Sequence, residues 1–308
     1  MDVSTTNPTL PAISFRGLTK QYGQLTALNN LSLDVLQGEV LGFLGLNGSG
    51  KTTAIRLLLD LLRPSRGQAF IFGHDCWLDS LAARAHAGYL PGEMGIYSDL
   101  TGLDVLDFLA GLQRQPVDQK RRQQLMKQLE LPERDLRRKL RQYSTGMKRK
   151  LGLIQAFEGD PALLILDEPT EGLDPLMQES FFSLVQQAKQ KGKTVFMSSH
   201  VLSEVERVCD RIALLRKGEL VLLAGVEELR AMTARSVRIT FSQEVQPPAR
   251  LPPGNEFLET LPRSWSLKVI GPLGPLHSVV AQMPVLDLEV REARLEEVVL
   301  KYYREETP

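Results

Sequence analysis

One run of eight residues, Gly45-Leu46-Asn47-Gly48-Ser49-Gly50-Lys51-Thr52, constrains the fold of this chain more than any other feature. It follows an apolar run, Val40–Leu44, that predicts a buried strand, and it precedes a helical pattern from Thr52 to Leu62. Glycines let successive backbone N–H groups turn towards phosphate oxygens, and a helix N-terminus adds partial positive charge. A glycine-rich turn that binds nothing is the alternative, but the complete pattern in this context favours a phosphate-binding loop.

A second apolar run, Leu163–Leu166, predicts another buried strand, and it ends in two adjacent carboxylates, Asp167 and Glu168. Paired with the phosphate loop, this strand end can place Asp167 against Mg²⁺ and Glu168 against an attacking water. In the loop itself, Lys51 is predicted to bridge the β- and γ-phosphates and Thr52 to bind the metal. A surface turn at a strand terminus is the alternative interpretation of the two carboxylates.

Strand and helix patterns alternate through most of the chain, which predicts a largely parallel α/β sheet interrupted by a helical insertion. Thr101 and Asp104 resemble a capping box that opens a helix of this insertion. Asp174-Pro175 predicts an N-cap followed by proline at the first position of a further helix. After Arg235 the composition shifts to a small α+β domain without a recognisable chemical motif. Its predicted elements are strands at 237–241, 265–269 and 286–290 and a helix at 295–303.

The charge balance is neutral overall, with 37 Lys and Arg against 37 Asp and Glu, which argues against a protein that coats nucleic acid. Between Lys120 and Lys150, twelve basic residues stand against three acidic ones, so the segment carries +9 and the remainder −9. Two interpretations of this basic segment stay open: a solvated helical face, or a surface that binds phosphate, lipid headgroups or an acidic partner. Cys76 and Cys209 exclude a disulfide scaffold or a four-thiolate zinc site. No apolar run approaches the roughly 20 residues of a membrane span.

Further motifs make residues 13–232 resemble the ATP-binding subunit of ABC transporters. Tyr143-Ser144-Thr145-Gly146-Met147 is similar to the family's signature sequence, and Glu171-Gly172-Leu173-Asp174 is similar to the loop that communicates across its dimer. His200 resembles the switch histidine that contacts the γ-phosphate, and Tyr22 resembles the aromatic that stacks on adenine. Taken alone, Ser144 is equally a helix N-cap, and His200 or Tyr22 a structural residue. Their shared order and spacing carry the resemblance.

The resemblance implies an α/β fold: a P-loop NTPase core of the ABC ATPase type with a helical insertion, followed by a small α+β C-terminal domain. The implied domains are an N-terminal tail (1–12), the ATP-binding domain (13–232, helical subdomain about 92–159) and an accessory domain (233–308). The implied activity is ATP hydrolysis, with catalytic residues Glu168, His200 and Lys51 and Mg²⁺ ligands Thr52 and Asp167. The implied ATP contacts are Tyr22, Gly45, Leu46, Asn47, Gly48, Ser49, Gly50, Lys51, Thr52, Thr53, Ser144, Gly146 and Asp174.

The variant signature and the ending Leu295-Glu296-Glu297-Val298-Val299-Leu300-Lys301-Tyr302-Tyr303 are similar to a bacterial export-type subset of this family. In that subset the permease is a separate polypeptide. The resemblance implies a homodimer of ATPase subunits beneath integral membrane permease subunits, on the cytoplasmic face of the inner cell membrane, with no nucleic acid partner. An ABC-type ATPase acting on DNA or ribosomes is the alternative, and a nucleotide-gated regulatory module with little turnover is a third possibility.

The chain departs from the family pattern after Tyr89-Leu90-Pro91, where Gly92 takes the place of the usual glutamine and Glu93 follows. That glutamine normally contacts Mg²⁺ and couples to the permease, and glycine has no side chain for either task. The hypothesis is therefore that Glu93 substitutes for it. Leu46 replaces the usual proline of the phosphate loop and Glu171 a usual Ser or Asn, but neither change removes a backbone phosphate contact or a catalytic carboxylate.

Overall fold

The structure, a computed structural model, describes residues 10–93, 95, 98–112, 118–232, 234–291 and 295–304. Residues 1–9 of the predicted N-terminal tail lie outside the described residues. The strands are β1 (Ile13–Tyr22), β2 (Leu25–Val35), β3 (Val40–Leu44), β4 (Arg66–Ile71), β5 (His74–Asp75), β6 (Ala87–Leu90), β7 (Leu163–Leu166), β8 (Thr194–Ser199), β9 (Arg211–Arg216), β10 (Glu219–Gly225), β11 (Arg235–Phe241), β12 (Asn255–Leu261), β13 (Ser264–Val269) and β14 (Val285–Arg291). The helices are α1 (Lys51–Leu58), α2 (Ser80–Arg84), α3 (Gly102–Leu112), α4 (Gln119–Gln128), α5 (Glu133–Leu136), α6 (Thr145–Glu158), α7 (Pro175–Gln190), α8 (Leu202–Val208), α9 (Val226–Met232), α10 (Gly274–Val280) and α11 (Leu295–Arg304).

The chain divides into two compact units, Met1–Leu223 and Ala224–Pro308. The sequence predicts the boundary between the two domains after residue 232. In the structure the division comes before α9, which therefore belongs to the second unit. Within the ranges that the structure describes, no helix is both long enough and apolar enough to cross a membrane.

The first unit is built around a six-stranded sheet with the order β10-β9-β3-β8-β7-β6. Strands β9, β3, β8, β7 and β6 pair in parallel, as the alternation of strand and helix patterns predicted. The sequences of β3 and β7 are continuous apolar runs because each of their residues is buried. The register aligns Leu44 with Ser199 and Leu166 with Met197, so the phosphate loop, the two carboxylates and His200 emerge at one edge of the sheet.

A second sheet of the first unit has the order β2-β1-β4-β5 and is antiparallel. Sequence patterns predicted parts of β2 and β4 but not this sheet, because its strands are only partly alternating. It packs on the central sheet through Phe15 of β1, whose ring centroid lies 6.2 Å from that of Phe196 in β8. Within the central sheet, the Phe196 centroid lies 5.2 Å from that of Phe43 in β3. This packing holds the strand that ends in Tyr22 against the sheet that carries the phosphate loop.

The helix after the phosphate loop is shorter than predicted. It ends at Leu58, whereas the sequence pattern predicted a helix to Leu62. Asp60 adopts a left-handed conformation with φ of 59°, and the N–H of Leu61 turns back to the carbonyl of Arg56. A left-handed residue of this kind ends helices because it redirects the following N–H groups to the last carbonyls. The pattern alone could not show where that turn occurs.

Helices α3 to α6 form the predicted helical insertion between β6 and β7. The predicted capping box opens α3: the Asp104 N–H donates to Thr101 Oγ1 at 3.1 Å, and the Thr101 N–H donates to the Asp104 carboxylate at 3.0 Å. Two arginines of the basic segment, Arg122 and Arg149, are only 3% and 4% exposed. Arg122 forms ion pairs with Glu158 of α6 and with an aspartate of α3. The expectation of a surface role, solvated or partner-binding, is wrong for these two residues.

The second unit is a small α+β domain, as predicted. Its sheet has the order β12-β13-β11-β14, and its pairs are antiparallel. Trp265 is fully buried in its core and packs edge-on against Phe241, with ring centroids 4.5 Å apart. Sequence patterns missed β12 and α10, since β12 is mostly exposed and its apolar positions do not alternate.

Candidate active site

The phosphate-binding loop lies between β3 and α1, as predicted. Gly48 and Gly50 have φ of 80° and 109°, a region that side chains disfavour. A Cβ atom on Gly50 would lie 2.5 Å from the carbonyl oxygen of Ala27. No side chain of the described residues caps α1, so the N–H groups of its first turn are open to an anion. Lys51 is buried, and its Nζ donates to the carbonyl oxygen of Gly45 at 2.5 Å.

The remaining loop residues divide between the interior and the surface. Leu46 and Asn47 are exposed, and Thr53 is half-buried in the first turn of α1. Ser49 is buried, and a Cβ atom on Gly45 would lie 2.4 Å from its Oγ. Gly45 therefore has no room for a side chain, which explains the glycine that begins the motif.

Lys51, Glu168 and His200 form a continuous polar chain. The Lys51 Nζ lies 3.2 Å from Glu168 Oε1, and His200 Nδ1 lies 2.8 Å from Glu168 Oε2. Glu168 has a φ of 48°, and its N–H donates to Ser198 Oγ at 3.0 Å. This conformation is uncommon for a residue other than glycine, and such backbone strain concentrates at functional sites. The structure thus brings together the three residues predicted to be catalytic.

Asp167 is fully buried at the end of β7, next to Thr52. Its Oδ1 accepts a hydrogen bond from Ser198 Oγ at 2.6 Å and lies 3.3 Å from Thr52 Oγ1. Its Oδ2 is also buried and has no hydrogen-bond partner among the residues described. Leaving a buried carboxylate oxygen unpaired costs free energy, which a cation ligated at that atom would recover. The donor set of carboxylate and hydroxyl oxygens fits Mg²⁺.

A cavity of about 460 Å³ opens beside these carboxylates. Tyr89 lines it, and burial, together with the negative charge of Asp167, raises the pKa of the tyrosine hydroxyl to about 12, so the hydroxyl stays protonated at neutral pH. Gly92 also lines it, and a Cβ atom there would lie 3.3 Å from Asp167 Oδ2. Position 92 is therefore adjacent to the predicted metal site although it has no side chain. Glu93 is exposed and lines the same cavity.

The signature segment begins α6. Ser144 is the N-cap of this helix, because its Oγ accepts a hydrogen bond from the Met147 N–H at 3.2 Å. The helix N-cap predicted as the alternative role of Ser144 is therefore confirmed. A Cβ atom on Gly146 would lie 3.0 Å from the carbonyl oxygen of Gly172, so the signature adjoins the turn that leads to Asp174, the N-cap of α7. Within the part of the chain that is described, no hydrogen bond joins Ser144, Gly146 or Asp174 to the phosphate loop.

Tyr22 lies at the end of β1 and is 45% exposed. The Lys20 Nζ lies 5.0 Å from the centroid of the Tyr22 ring and donates to the carbonyl oxygen of Arg63 at 2.7 Å. The ring is therefore oriented by a cation while much of its surface stays accessible for stacking. Adenine stacking on Tyr22 remains a prediction.

Two residues that organise the site were missed by the sequence analysis. Ser198 binds both the Asp167 side chain and the Glu168 backbone, and its place two residues before His200 was the available signal. Arg149 donates to backbone carbonyls around the cavity but lies in a basic run that indicated a surface. Burial lowers the pKa of its guanidinium, opposed by the charges of Glu171, Asp167 and Glu168. An arginine in such surroundings nonetheless stays charged.

The parallel sheet, the phosphate loop after β3 and the carboxylates that end β7, two strands away, define a P-loop ATPase of the ABC class. The sequence profile of the ABC transporter family matches residues 28–171. The chain belongs to this family, among its ATP-binding proteins.

Three similar proteins illustrate the relationship. The chain is 42% identical to an ABC transporter ATP-binding protein of Nostoc sp. (strain PCC 7120), over 67% of this chain and 62% of that protein. It is 38% identical to the bacitracin transport ATP-binding protein BcrA of Enterococcus faecalis, over 70% of each. It is 35% identical to the daunorubicin resistance ATP-binding protein DrrA3 of Streptomyces coeruleorubidus, over 72% of this chain and 71% of that protein. The match thus spans less than two thirds of the Nostoc protein.

Solved structures share the fold of the first unit. One is described as the ATP-binding subunit of an ABC transporter, with 29% identity and a TM-score of 0.65 over 71% of this chain and 92% of that chain. Another is a dimeric ATP-binding cassette in a post-hydrolysis state bound to ADP and Pi, with 25% identity and a TM-score of 0.63 over 70% of this chain and 98% of that chain.

Proposed function

We propose that this chain binds and hydrolyses ATP and thereby drives export of a substrate through a separately encoded membrane permease. The observation that carries the proposal is the chain of Lys51, Glu168 and His200, which stands beside Asp167 at one edge of the sheet. Relatives named for bacitracin transport and daunorubicin resistance support export. The cargo is selected by the permease.

The polar chain divides the hydrolysis among three side chains. Lys51 and the N–H groups of the loop hold the β- and γ-phosphates. The Lys51 ammonium then exchanges its contact with Glu168 for one with phosphate, which frees the carboxylate to accept a proton from the attacking water. His200 orients Glu168 through their hydrogen bond and contacts the γ-phosphate. Tyr22 stacks on adenine, and the loop from Gly45 to Thr53 supplies the other ATP contacts.

Thr52 and Asp167 are the residues that would hold Mg²⁺. When bound, Mg²⁺ neutralises charge that develops on the phosphate oxygens. Ser198 and Thr52 donate to Asp167 Oδ1, and no residue that the structure describes donates to the buried Oδ2, which would bind the cation. Few protein ligands are needed, because Mg²⁺ keeps several waters and phosphate oxygens in its shell.

Two copies of the chain meet head to tail, with each ATP held between the phosphate loop of one subunit and the signature of the other. Ser144 and Gly146 then contact the γ-phosphate bound by the partner, and Asp174 lies at the seam. The N-terminus of α6 suits an anion because its helix dipole is positive there and the Ser144 cap takes up only the Met147 N–H. The similar cassette that was solved as a dimer supports this arrangement. Cleavage of the γ-phosphate removes the bridge and lets the dimer open.

The permease docks on a groove beside the helical insertion. This groove of about 520 Å³ is lined by residues of α2, α3 and α6, by the start of β6 and by the loop 159–162 that precedes β7. Leu81 and Leu112 line it and are 80% and 65% exposed. Exposed apolar groups rimmed by polar ones are typical of protein interaction sites, and here His86 and Lys193 supply polar lining. The groove therefore suits a cytoplasmic segment of the permease with an apolar side.

Replacing both groove leucines, Leu81→Asp with Leu112→Asp, is expected to release the chain from its membrane partner without lowering its basal ATPase rate. Each leucine buried on docking contributes about 1.5–3 kcal/mol, so we expect at least about tenfold less copurified partner. The measurement is affinity copurification from solubilised native membranes, with Leu36→Asp as the control at an exposed loop position. ATPase stimulation by DNA or ribosomes, but not by membranes, would instead favour the non-transport alternative.

The Glu93→Ala variant tests whether this carboxylate serves in place of the missing glutamine. We expect the Mg²⁺ concentration needed for half-maximal nucleotide binding to rise about tenfold, as for loss of an outer-shell metal contact. Binding of a fluorescent ATP analogue is measured across a Mg²⁺ titration, and hydrolysis is followed in parallel. Glu256→Ala, an exposed carboxylate of the second unit, is the control. An unchanged Mg²⁺ profile in Glu93→Ala counts against this role.

A further inference from the structure

Arg149 is a buried guanidinium whose donors go to backbone carbonyls of two loops. Its Nη1 donates to the Pro91 carbonyl at 2.8 Å, and its Nη2 donates to the Gly92 carbonyl at 2.7 Å. Its Nε donates to the Glu171 carbonyl at 3.2 Å, and a longer contact of 3.5 Å joins Nη1 to the carbonyl of Asp167. A planar fork of fixed donors can hold several acceptors in one arrangement, which a flexible ammonium cannot.

These carbonyls belong to the two segments that follow β6 and β7, beside the carboxylates Asp167 and Glu168 of the same subunit. Gly92 lies beside Asp167, the carboxylate proposed to bind Mg²⁺: a Cβ atom on Gly92 would lie 3.3 Å from Asp167 Oδ2. The Asp167 carbonyl immediately precedes Glu168, the residue held in a left-handed backbone conformation. The Glu171 carbonyl lies in the turn that leads to Asp174. The guanidinium therefore fixes the backbone on both sides of the carboxylates that serve the ATP bound by the same chain.

Arg149 also belongs to the helix that carries the signature. It lies five residues after Ser144, the N-cap of α6, and at the rise of an α-helix this is about 7.5 Å along the axis. The segment from Ser144 to Arg149 is regular helix. A displacement of Asp167 and Glu168 that moves Arg149 therefore also moves the N-terminus of α6. In the head-to-tail dimer that N-terminus completes the nucleotide site of the other subunit.

We propose that Arg149 is a positioning residue that couples the two nucleotide sites: it ties the carboxylates of its own site to the signature segment offered to the partner's site. This inference rests on the proposed function, since it needs the head-to-tail dimer. The backbone contacts make the coupling mechanical, because loss of the guanidinium frees two loops and the signature helix from one another. A role confined to the subunit's own carboxylates would leave the signature undisturbed.

The test compares Arg149→Lys and Arg149→Met with Lys150→Met. Lys150 is a neighbouring cation on the same helix and makes no ion pair with any residue that the structure describes. Each is made in the wild-type chain and in Glu168→Gln. Three quantities are measured: the affinity of the isolated chain for a fluorescent ATP analogue, the ATP-driven dimer affinity in the Glu168→Gln background, and kcat with KM for hydrolysis. Thermal unfolding shows whether each variant is folded. If Arg149→Met does not fold, the comparison is made with Arg149→Lys alone.

We expect both Arg149 variants to keep nucleotide affinity within about twofold, while dimer affinity falls at least about tenfold and kcat falls up to about 100-fold. Lys150→Met should match its parent in all three quantities. Unchanged dimer affinity with reduced kcat would overturn the coupling, because Arg149 would then serve only its own site. A parallel loss of nucleotide affinity and thermal stability would also overturn it, by showing a purely structural role. If the Glu168→Gln parent itself forms no ATP-dependent dimer, the proposed function fails, and this inference fails with it.

Discussion

Glu168→Gln is expected to retain ATP but to hydrolyse it about 10²- to 10⁴-fold more slowly than the wild-type chain. The amide keeps the size of the side chain and its contact with His200, but it cannot accept a proton from water. Glu168 also places a negative charge 3.2 Å from the Lys51 ammonium, where the phosphates must bind. Removing that charge is expected to strengthen ATP binding, so closed dimers should accumulate.

Steady-state hydrolysis and size-exclusion chromatography with ATP and Mg²⁺ measure these two outcomes. Glu179→Gln is the matched control, because Glu179 makes an exposed ion pair with Arg207 on the surface of the same unit. The control should behave like the wild type. Hydrolysis by Glu168→Gln at the wild-type rate would remove the catalytic role assigned to this carboxylate. Purified protein that neither retains ATP nor pairs around it would end the proposal as a whole.

Lys51→Ala is expected to weaken ATP binding at least about 30-fold, which corresponds to about 2 kcal/mol. The buried ammonium supplies charge-assisted hydrogen bonds to the phosphates, and no other cation among the described residues lies within 4.0 Å of Glu168 apart from His200 when it is protonated. Its removal also leaves Glu168 without its lysine partner in a poorly hydrated site. Both effects oppose an incoming triphosphate.

Isothermal titration with ATP and Mg²⁺ measures the affinity, and thermal unfolding shows that the variant is folded. Lys189→Ala is the control, because Lys189 is a half-exposed lysine paired with Asp210 outside the candidate active site. Its affinity for ATP should equal that of the wild type. Wild-type affinity in a folded Lys51→Ala protein would contradict the function assigned to the phosphate loop.

The local elements of the active site were predictable because short-range rules decide them. The continuous apolar runs matched β3 and β7 residue for residue, and proline after Asp174 marked the start of α7. The phosphate loop needs glycines because its backbone adopts positive φ angles, and a sequence motif records those glycines directly. These features depend on neighbours within a few positions, so the order of residues was sufficient to find them.

Other features depended on contacts between distant parts of the chain. The antiparallel sheet of β1, β2, β4 and β5 was not predicted, since its strands are stabilised by pairing across many residues. The end of α1 depends on the left-handed turn at Asp60. Arg122 and Arg149 looked like surface charges in a basic run, but their burial is made possible by acids and carbonyls far away in sequence.

By itself the sequence determined the phosphate loop, the carboxylates that follow an apolar strand, and the family to which the chain belongs. Only the tertiary structure decided that Lys51, Glu168 and His200 form one continuous polar chain and that Arg149 turns inward. It also decided that a buried oxygen of Asp167 has no hydrogen-bond partner among the described residues. The physical reason is the range of the interactions concerned. Backbone conformation and apolar periodicity act over a few residues, whereas burial of a charge becomes favourable only when partners from separate strands and helices converge around it.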